Sequence, residues 1–244
     1  MGQLVVFNIG NTWSEAAAVE NAVPDPVVRV PTESFPDSAV LELLDACAPR
    51  RCVAACVSPP ALVRLRASRP DLRIRTLRAD LIPEMDFSRV DAGTIGGDRL
   101  ANAVAGVKLA GAPVIVVDCG TAITIEAVDR RLRFRGGAIL PGRALMRRAL
   151  TDHTGLLPQA PIVSRMPDAI GTDTVAAIQA GVDRAAVAAV RELVTATVRE
   201  LEEPDCPVLI TGGDAGFYLP HLPGVRAAPE PFTLTGVARV AFTA

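Results

Sequence analysis

Short apolar runs alternate along this chain with longer segments in which apolar residues recur at helical spacing. The first pattern is typical of buried strands and the second of amphipathic helices. The first half therefore predicts a strand hairpin, a helix and a strand, and then a short helix, a strand and a helix. The predicted ranges are Leu4–Phe7, Ala16–Val19, Val27–Pro31, Ser38–Cys47, Cys52–Val57, Ala61–Ala67, Leu72–Leu77 and Gly96–Ala110.

The second half repeats this scheme, with three strands, two helices, a strand and a last helix. The predicted ranges are Val114–Val117, Thr124–Val128, Leu132–Ile139, Arg143–Leu150, Asp173–Leu201, Cys206–Thr211 and Phe232–Phe242. The pattern of the long helix leaves a break in it open, and Gly136-Gly137 and Pro141-Gly142, taken alone, predict simple turns. Alternating strands and helices indicate an α/β fold. We expect two similar lobes, residues 1–112 and 113–244.

A strand-to-turn phrase occurs twice, as LVVFNIGNTWS and VIVVDCGTAIT, which places Asn8 and Asp118 110 positions apart at equivalent strand ends. The turn residues that follow offer glycine backbone, amide and hydroxyl groups to an anion. They are Gly10, Asn11, Thr12, Gly120 and Thr121. The repeat predicts a polyphosphate bound between the halves, with a cation near Asp118 because hard cations prefer oxygen ligands. The alternative is that Asn8 and Asp118 only form turns at strand ends.

The sequence Gly96-Gly97-Asp98-Arg99 precedes the helix that ends the first half. Its glycines can bring backbone N–H groups to a ligand, and Asp98 is the best candidate for a general base that deprotonates an attacking hydroxyl. Arg99 offers a planar donor pair to a carboxylate or phosphoryl oxygen. Alternatively, Asp98 caps the helix and Arg99 forms a surface ion pair.

A third glycine turn, Thr211-Gly212-Gly213, follows a predicted buried strand and suits close approach to a ligand such as adenosine diphosphate. The chain lacks the GxxxxGK[ST] and GxGxxG patterns, which argues against Walker-type and Rossmann nucleotide sites. His153 and His221 have no serine or cysteine in a triad-like context, which disfavours a hydrolytic nucleophile.

Bulk composition narrows the class of protein further. A net charge of −2 gives no electrostatic reason to expect nucleic acid as a partner. No apolar stretch approaches the ~20 residues that a membrane helix needs. The strand pattern begins at the first residues, without a signal peptide, so we expect a cytoplasmic protein. Five cysteines and only two histidines predict buried free thiols in preference to a zinc site.

Taken in order, these phrases resemble the type III pantothenate kinase family, which includes the Bvg accessory factor proteins. The similarity extends over essentially the whole chain as an ordered series of motifs. They are NIGNT (8–12), VSPP (57–60), GGDRLANA (96–103), DCGTAIT (118–124), GGAILPG (136–142), TGLLP (154–158), GTDTVAAIQAG (171–181) and TGGDA (211–215).

The resemblance implies the acetate and sugar kinase/Hsp70/actin fold, with two ribonuclease-H-like lobes. It implies ATP-dependent phosphorylation of the primary hydroxyl of pantothenate, the first step toward coenzyme A, by a homodimer with Mg²⁺ and a monovalent cation, K⁺ or NH₄⁺. The first-motif and DxGT loops would bind the ATP phosphates, and the TGG turn would lie near adenosine. Asp98 would be the base, Arg99 and Thr174 would hold pantothenate, and Asp118 would be associated with the monovalent cation.

The sequence departs from the family pattern at two places. The first motif usually has Asp followed shortly by Lys or Arg, whereas this chain has Asn8 and then Trp13, Ser14 and Glu15. The segment Asp86–Ile95 lacks the Tyr often found near pantothenate. The first departure favours a rival, a catalytically impaired relative that acts as a nucleotide- or pantothenate-binding regulator. The second suggests another rival, a kinase for a different small hydroxy acid.

Overall fold

The computed structural model describes residues 4–243, which form ten strands and seven α-helices. The strands are β1 (Leu4–Ile9), β2 (Trp13–Glu20), β3 (Val23–Pro31), β4 (Arg51–Cys56), β5 (Ile74–Thr76), β6 (Val114–Cys119), β7 (Ala122–Val128), β8 (Phe134–Pro141), β9 (Val208–Thr211) and β10 (Val225–Ala227). The helices are α1 (Ser38–Cys47), α2 (Pro59–Ser68), α3 (Gly97–Ala110), α4 (Arg143–Asp152), α5 (Thr174–Leu201), α6 (Ala215–Tyr218) and α7 (Phe232–Thr243).

The two five-stranded sheets have the same strand order. The first sheet runs β3-β2-β1-β4-β5 and the second runs β8-β7-β6-β9-β10. In the first sheet β1 is antiparallel to β2 and parallel to β4, and in the second β6 is parallel to β9. The central strands β1 and β6 are the strands of the repeated sequence phrase. The predicted α/β fold is therefore confirmed.

Contacts along the chain define two compact units. The first contains Met1–Ala112, Val128–Arg135 and Pro229–Ala244, and the second contains Pro113–Ala127 and Gly136–Ala228. Helix α7 belongs to the first unit because it packs closely on α3, where the backbone of Ala101 leaves no room for a Cβ atom on Gly236. The predicted lobe boundaries, 1–112 and 113–244, stay a prediction. The first compact unit also contains α7 and residues 128–135, which those boundaries assign to the second lobe.

One hydrophobic cluster of the first unit lies on the face of its sheet that α1 and α2 cover. Val5, Phe7 and Ile9 of β1 pack with the buried residues of α1 and α2. Helix α1 begins where the side chain of Asp37 accepts a hydrogen bond from the N–H of Val40 at 3.1 Å, which satisfies a donor that the first turn leaves open. The predicted bounds of α1 are confirmed.

The core of the second unit lies between β6, β7, β9 and the long helix α5. Helix α5 runs unbroken from Thr174 to Leu201, so the break that the sequence left open is absent. Gly136-Gly137 lie within β8, where a turn was the prediction from the dipeptide alone. The short elements α6 and β10 had no sequence signal. No helix within residues 4–243 is both long and apolar enough to cross a membrane.

Candidate active site

The first predicted ligand loop joins β1 to β2. The N–H of Gly10 donates to the carbonyl of Trp13 at 3.1 Å, which closes a tight turn. Thr32, the residue directly after β3, holds this loop in place: its Oγ1 donates to the carbonyl of Gly10 and its N–H donates to the carbonyl of Thr12, both at 2.9 Å. Asn11 and Thr12 are exposed. The loop is therefore anchored through the backbone of Gly10 and Thr12.

Asn8 lies at the carboxyl end of β1, directly opposite Glu15 of β2. Its Nδ2 donates to Glu15 Oε2 at 3.3 Å, and the Glu15 carboxylate lies 3.8 Å from the guanidinium of Arg29. Burial raises the pKa of Glu15, while the Asn8 hydrogen bond and the charge of Arg29 oppose that rise. The carboxylate at this strand end therefore belongs to β2, and β1 contributes an amide.

The GGDR motif forms the start of α3 against the end of β4. A Cβ atom on Gly97 would lie 3.1 Å from the Cα of Ala55 and 3.2 Å from the backbone nitrogen of Cys56. The helix therefore lies so close to β4 that a larger residue than glycine would crowd the strand backbone. Ala55 is the register partner of Asn8 in the parallel β1–β4 pair. The first turn of α3 and the end of β1 therefore lie at the same edge of the sheet.

Asp98 occupies the first turn of α3, but it is not the N-cap, which is Gly96. Its Oδ1 accepts from the backbone N–H of Arg99 at 2.8 Å. Burial raises the pKa of Asp98, and the Arg99 N–H and guanidinium charge oppose this rise. A carboxyl group with a raised pKa is a better proton acceptor than an ordinary aspartate, which suits a general base.

The second unit brings together the other two predicted loops. Asp118 of β6 is the register partner of Thr211 at the end of β9. Gly212 has φ +94°, and a Cβ atom on it would collide with the Asp118 carboxylate and come within 2.7 Å of the Cys119 nitrogen. The N–H of Asp214 donates to the carbonyl of Cys119 at 3.0 Å. The TGG turn therefore lies directly against the side chain that the sequence assigns to a cation.

The exposed residues at these loops are Gly120, Thr121 and Gly213. The N–H of Gly142, which precedes α4, donates to the carbonyl of Thr121 at 2.9 Å. A Cβ atom on Gly142 would lie 2.7 Å from that same oxygen. The Pro141-Gly142 dipeptide, which the sequence alone assigns to a simple turn, thus supports the loop after β6.

Sequence reasoning missed a group of four ion-paired residues beside this loop, three of which are buried. They are Arg143, Arg147, Asp183 and Asp214. One sequence pattern could have revealed this group. In α5, Asp183 stands among apolar positions that face the core, such as Val182, Ala186 and Val190. A lone acidic residue in a buried stripe requires a cationic partner from another element.

Thr174 is the first residue of α5 and is exposed. The helix begins there because Asp173 accepts from the N–H of Ala176 at 2.9 Å. Thr174 therefore stands at the N-terminus of α5, where its side chain meets solvent. Its predicted role toward pantothenate stays a prediction, as do the other residue roles.

Solved structures identify the fold. A Baf family protein from Campylobacter jejuni superposes with a TM-score of 0.63 at 19% identity, covering 98% of this chain and 97% of that one. A polyphosphate/ATP-glucomannokinase from Arthrobacter and an archaeal actin homolog give TM-scores of 0.55 and 0.56 at 14% and 10% identity, each covering at least 99% of both chains. The protein therefore has the fold shared by sugar kinases, Hsp70 and actin, as predicted.

Sequence comparison is more specific. The type III pantothenate kinase family model matches residues 4–196, and the chain belongs to that family. It is 32% identical to the type III pantothenate kinase of Chlorobaculum parvum, over 96% of this chain and 92% of that protein. The kinase of Shouchella clausii is 35% identical over 60% of this chain and 57% of its own length. The chain thus spans little more than half of that second relative, and the family resemblance predicted from the motifs is confirmed.

Proposed function

We propose that this protein transfers the γ-phosphoryl group of ATP to the primary hydroxyl of pantothenate, giving 4'-phosphopantothenate at the start of coenzyme A biosynthesis. Family membership supports the reaction class. The observation that carries the proposal for this chain is Asp98, a partly buried carboxyl with a raised pKa in the first turn of α3, at the same sheet edge as the loop after β1.

In the proposed reaction Asp98 accepts the proton of the hydroxyl as its oxygen forms a bond to the γ-phosphorus. The bond from that phosphorus to the β,γ-bridging oxygen breaks, and ADP leaves. Gly96, Gly97 and Arg99 contribute N–H donors to the acceptor, with the Arg99 guanidinium directed at the pantothenate carboxylate. Thr174 is a second proposed contact to pantothenate.

The nucleotide contacts in this proposal come from the glycine loops after β1, β6 and β9. Backbone N–H and hydroxyl groups of the loops after β1 and β6 would bind phosphate oxygens, and the TGG turn would lie near adenosine. The proposed residues are Asn8, Gly10, Asn11, Thr12, Gly120, Thr121, Gly212 and Gly213.

The oxygen ligands that this chain can offer suit a cation whose other ligands are phosphate oxygens and water. Mg²⁺ commonly keeps several waters and binds one or two carboxylates plus substrate phosphates. No group of three or more His, Cys, Asp or Glu side chains that could hold a metal ion occurs in residues 4–243. Asp118 would be the protein ligand associated with the monovalent cation. When bound, Mg²⁺ and a monovalent cation, K⁺ or NH₄⁺, would neutralise charge on the phosphates.

A second candidate function is a regulator that binds nucleotide or pantothenate without turnover. The observation that favours it is Asn8, whose amide carries no charge and donates to Glu15. The presence of Asp98 counts against it, because a pure binder has no chemical need for a base.

An ADP-release assay with pantothenate, Mg²⁺ and K⁺ distinguishes the kinase from the non-catalytic regulator. ADP release that depends on pantothenate supports the kinase. Binding of ATP or pantothenate by calorimetry, without ADP release from the wild type or from Asn8→Asp, would support the regulator and contradict the kinase. The same samples test the proposed homodimer by light scattering, and fractionation of the producing cells tests the proposed cytoplasmic location.

A further inference from the structure

Three of the four charged residues in this ion-paired group of the second unit are almost completely removed from solvent. Arg143 is 1% exposed, and Arg147 and Asp183 are each 0% exposed. Ionised groups are costly to bury unless they are paired and hydrogen-bonded. Arg147 Nη2 donates to Asp183 Oδ1 at 2.7 Å, and Arg143 Nη1 donates to the same oxygen at 3.2 Å. The two helices α4 and α5 are therefore joined by an ion cluster.

Arg143 also extends from this cluster to the TGG turn. Its Nε donates to Asp214 Oδ2 at 2.7 Å, and its Nη2 donates to Asp214 Oδ1. Nη1 donates in addition to the carbonyl of Val163 at 3.1 Å, and the guanidinium lies 3.4 Å from the ring centroid of Phe217. A planar guanidinium bound on both edges and stacked on a ring has little freedom to move. The position of Asp214 is fixed accordingly.

The residue before Arg143 contacts the other nucleotide loop of this unit. The N–H of Gly142 donates to the carbonyl of Thr121, in the loop after β6. Two consecutive residues, Gly142 and Arg143, thus contact the Gly120–Thr121 loop and the Thr211–Asp214 turn respectively. A change in the Arg143 contacts would alter the position of one loop relative to the other.

We propose that Arg143 is a positioning residue for the nucleotide: through Asp214 it fixes the TGG turn relative to the Gly120–Thr121 loop. This inference rests on the proposed function, because it takes these two loops as the nucleotide contacts. It assigns to Arg143 no contact with ATP and no part in proton transfer. Its effect is on nucleotide affinity, since a displaced turn presents its backbone groups at the wrong distance.

The chain offers a variant that removes the contact to the turn and keeps the fold. In Arg143→Met, Asp183 retains Arg147 as a partner, and the Asp214 side chain is 30% exposed, so water can hydrate it. Methionine fills much of the volume of the arginine stem. A matched control is Arg147→Met, which removes an equally buried arginine from the same cluster and leaves the Arg143–Asp214 pair.

The test is calorimetric titration of ATP, with Mg²⁺, into the wild type, Arg143→Met, Arg143→Lys and Arg147→Met, with circular dichroism melts of each. We expect Arg143→Met to raise the Kd of ATP about 10- to 100-fold, with Arg143→Lys intermediate because an ammonium cannot make the paired contact. The KM for ATP should rise by a similar factor, whereas the KM for pantothenate should not. Arg147→Met should retain wild-type affinity.

The outcomes separate the two proposals. If the wild type binds ATP and a folded Arg143→Met binds it equally well, the positioning role is wrong and the kinase proposal stands. If Arg147→Met loses as much affinity as Arg143→Met, the cluster acts only on stability, and the positioning role is again wrong. If the wild type does not bind ATP, the proposed function fails and this inference fails with it.

Discussion

The Nδ2 atom of Asn8 lies 3.3 Å from the Oε2 atom of Glu15, its register partner across the β1–β2 pair. Because this nitrogen is the donor end of the amide, Oδ1 is the end of Asn8 that can accept from a hydrated cation. The Glu15 carboxylate beside it carries a negative charge, which Arg29 neutralises in part. The strand end therefore has both an acceptor and a negative charge, on different side chains.

This arrangement predicts how the chain responds to Asn8→Asp. A carboxylate at position 8 would lie beside Glu15, and the repulsion of two like charges would lower stability. The variant Asn8→Asp/Glu15→Gln keeps one negative charge and removes that repulsion. We expect it to bind Mg²⁺–ATP more tightly than the wild type and to raise kcat by up to about 10²-fold.

Urea unfolding and the ADP-release assay measure these effects, and the single mutant Glu15→Gln is the control. An Asn8→Asp protein as stable as the wild type would argue against the Asn8–Glu15 contact. A double mutant no faster than the wild type would show that a carboxylate at position 8 does not limit turnover.

Asp98→Asn should lower activity while it raises stability. Loss of a general base costs about 10²- to 10⁴-fold in rate. The raised pKa means that the folded state prefers protonated Asp98, so its stabilising contribution is complete below the unfolded pKa and is lost as pH rises through the folded pKa. At pH 7, above the unfolded pKa, the buried carboxyl therefore costs stability, and a neutral asparagine side chain in its place removes that cost.

We thus expect Asp98→Asn to raise the melting temperature at pH 7 while it abolishes phosphorylation and leaves ATP binding intact. The same change at an exposed carboxyl, Asp80→Asn, should alter neither property. Retained turnover in Asp98→Asn would remove Asp98 from the role of base, and a lower melting temperature would contradict the raised pKa.

The pH dependence of kcat/KM gives a third prediction. The base must be ionised, so activity falls as pH decreases through the pKa of Asp98, which lies above the ordinary aspartate value of 3.8. The Arg99 charge opposes this rise, so Arg99→Met should move the acidic limb to still higher pH, whereas Arg99→Lys should move it less. The control variant Glu15→Gln should leave the pH of the acidic limb of kcat/KM unchanged. An acidic limb at the ordinary aspartate pKa in the wild type would contradict the assignment.

The sequence predicted those parts of the molecule that depend on local pattern. The repeated phrase around Asn8 and Asp118 anticipated two similar lobes, and the helical spacing of apolar residues anticipated the bounds of α1, Ser38–Cys47. Both signals lie within a few residues of the feature that they specify. The family motifs added the class of protein.

The parts that could not be predicted depend on contacts between distant positions. Arg143 and Asp214 are 71 residues apart, and the pattern of α4 gives no indication that its arginines face inward. Similarly, α7 joins the first unit through Gly236 and Ala101, a contact that no local pattern encodes. The cross-strand position of Glu15 relative to Asn8 follows from register, which depends on the length of the turn at Gly10–Thr12.

Gly212→Ala is the sharpest test of the turn that follows β9. Gly212 has φ +94°, and an added Cβ would strike the Asp118 carboxylate and the backbone of Cys119. We expect a loss of about 1–3 kcal/mol in the free energy of unfolding and a large loss of ATP affinity, because the turn must move away from Asp118. Urea unfolding and calorimetry with ATP measure the two effects.

Gly216→Ala is the matched control for Gly212→Ala. A Cβ atom on Gly216 would meet nothing within 4 Å, and the residue lies in α6, so this variant should keep wild-type ATP affinity and be at least as stable as the wild type. Wild-type ATP affinity in a folded Gly212→Ala protein would mean that the turn against Asp118 does not contact the nucleotide.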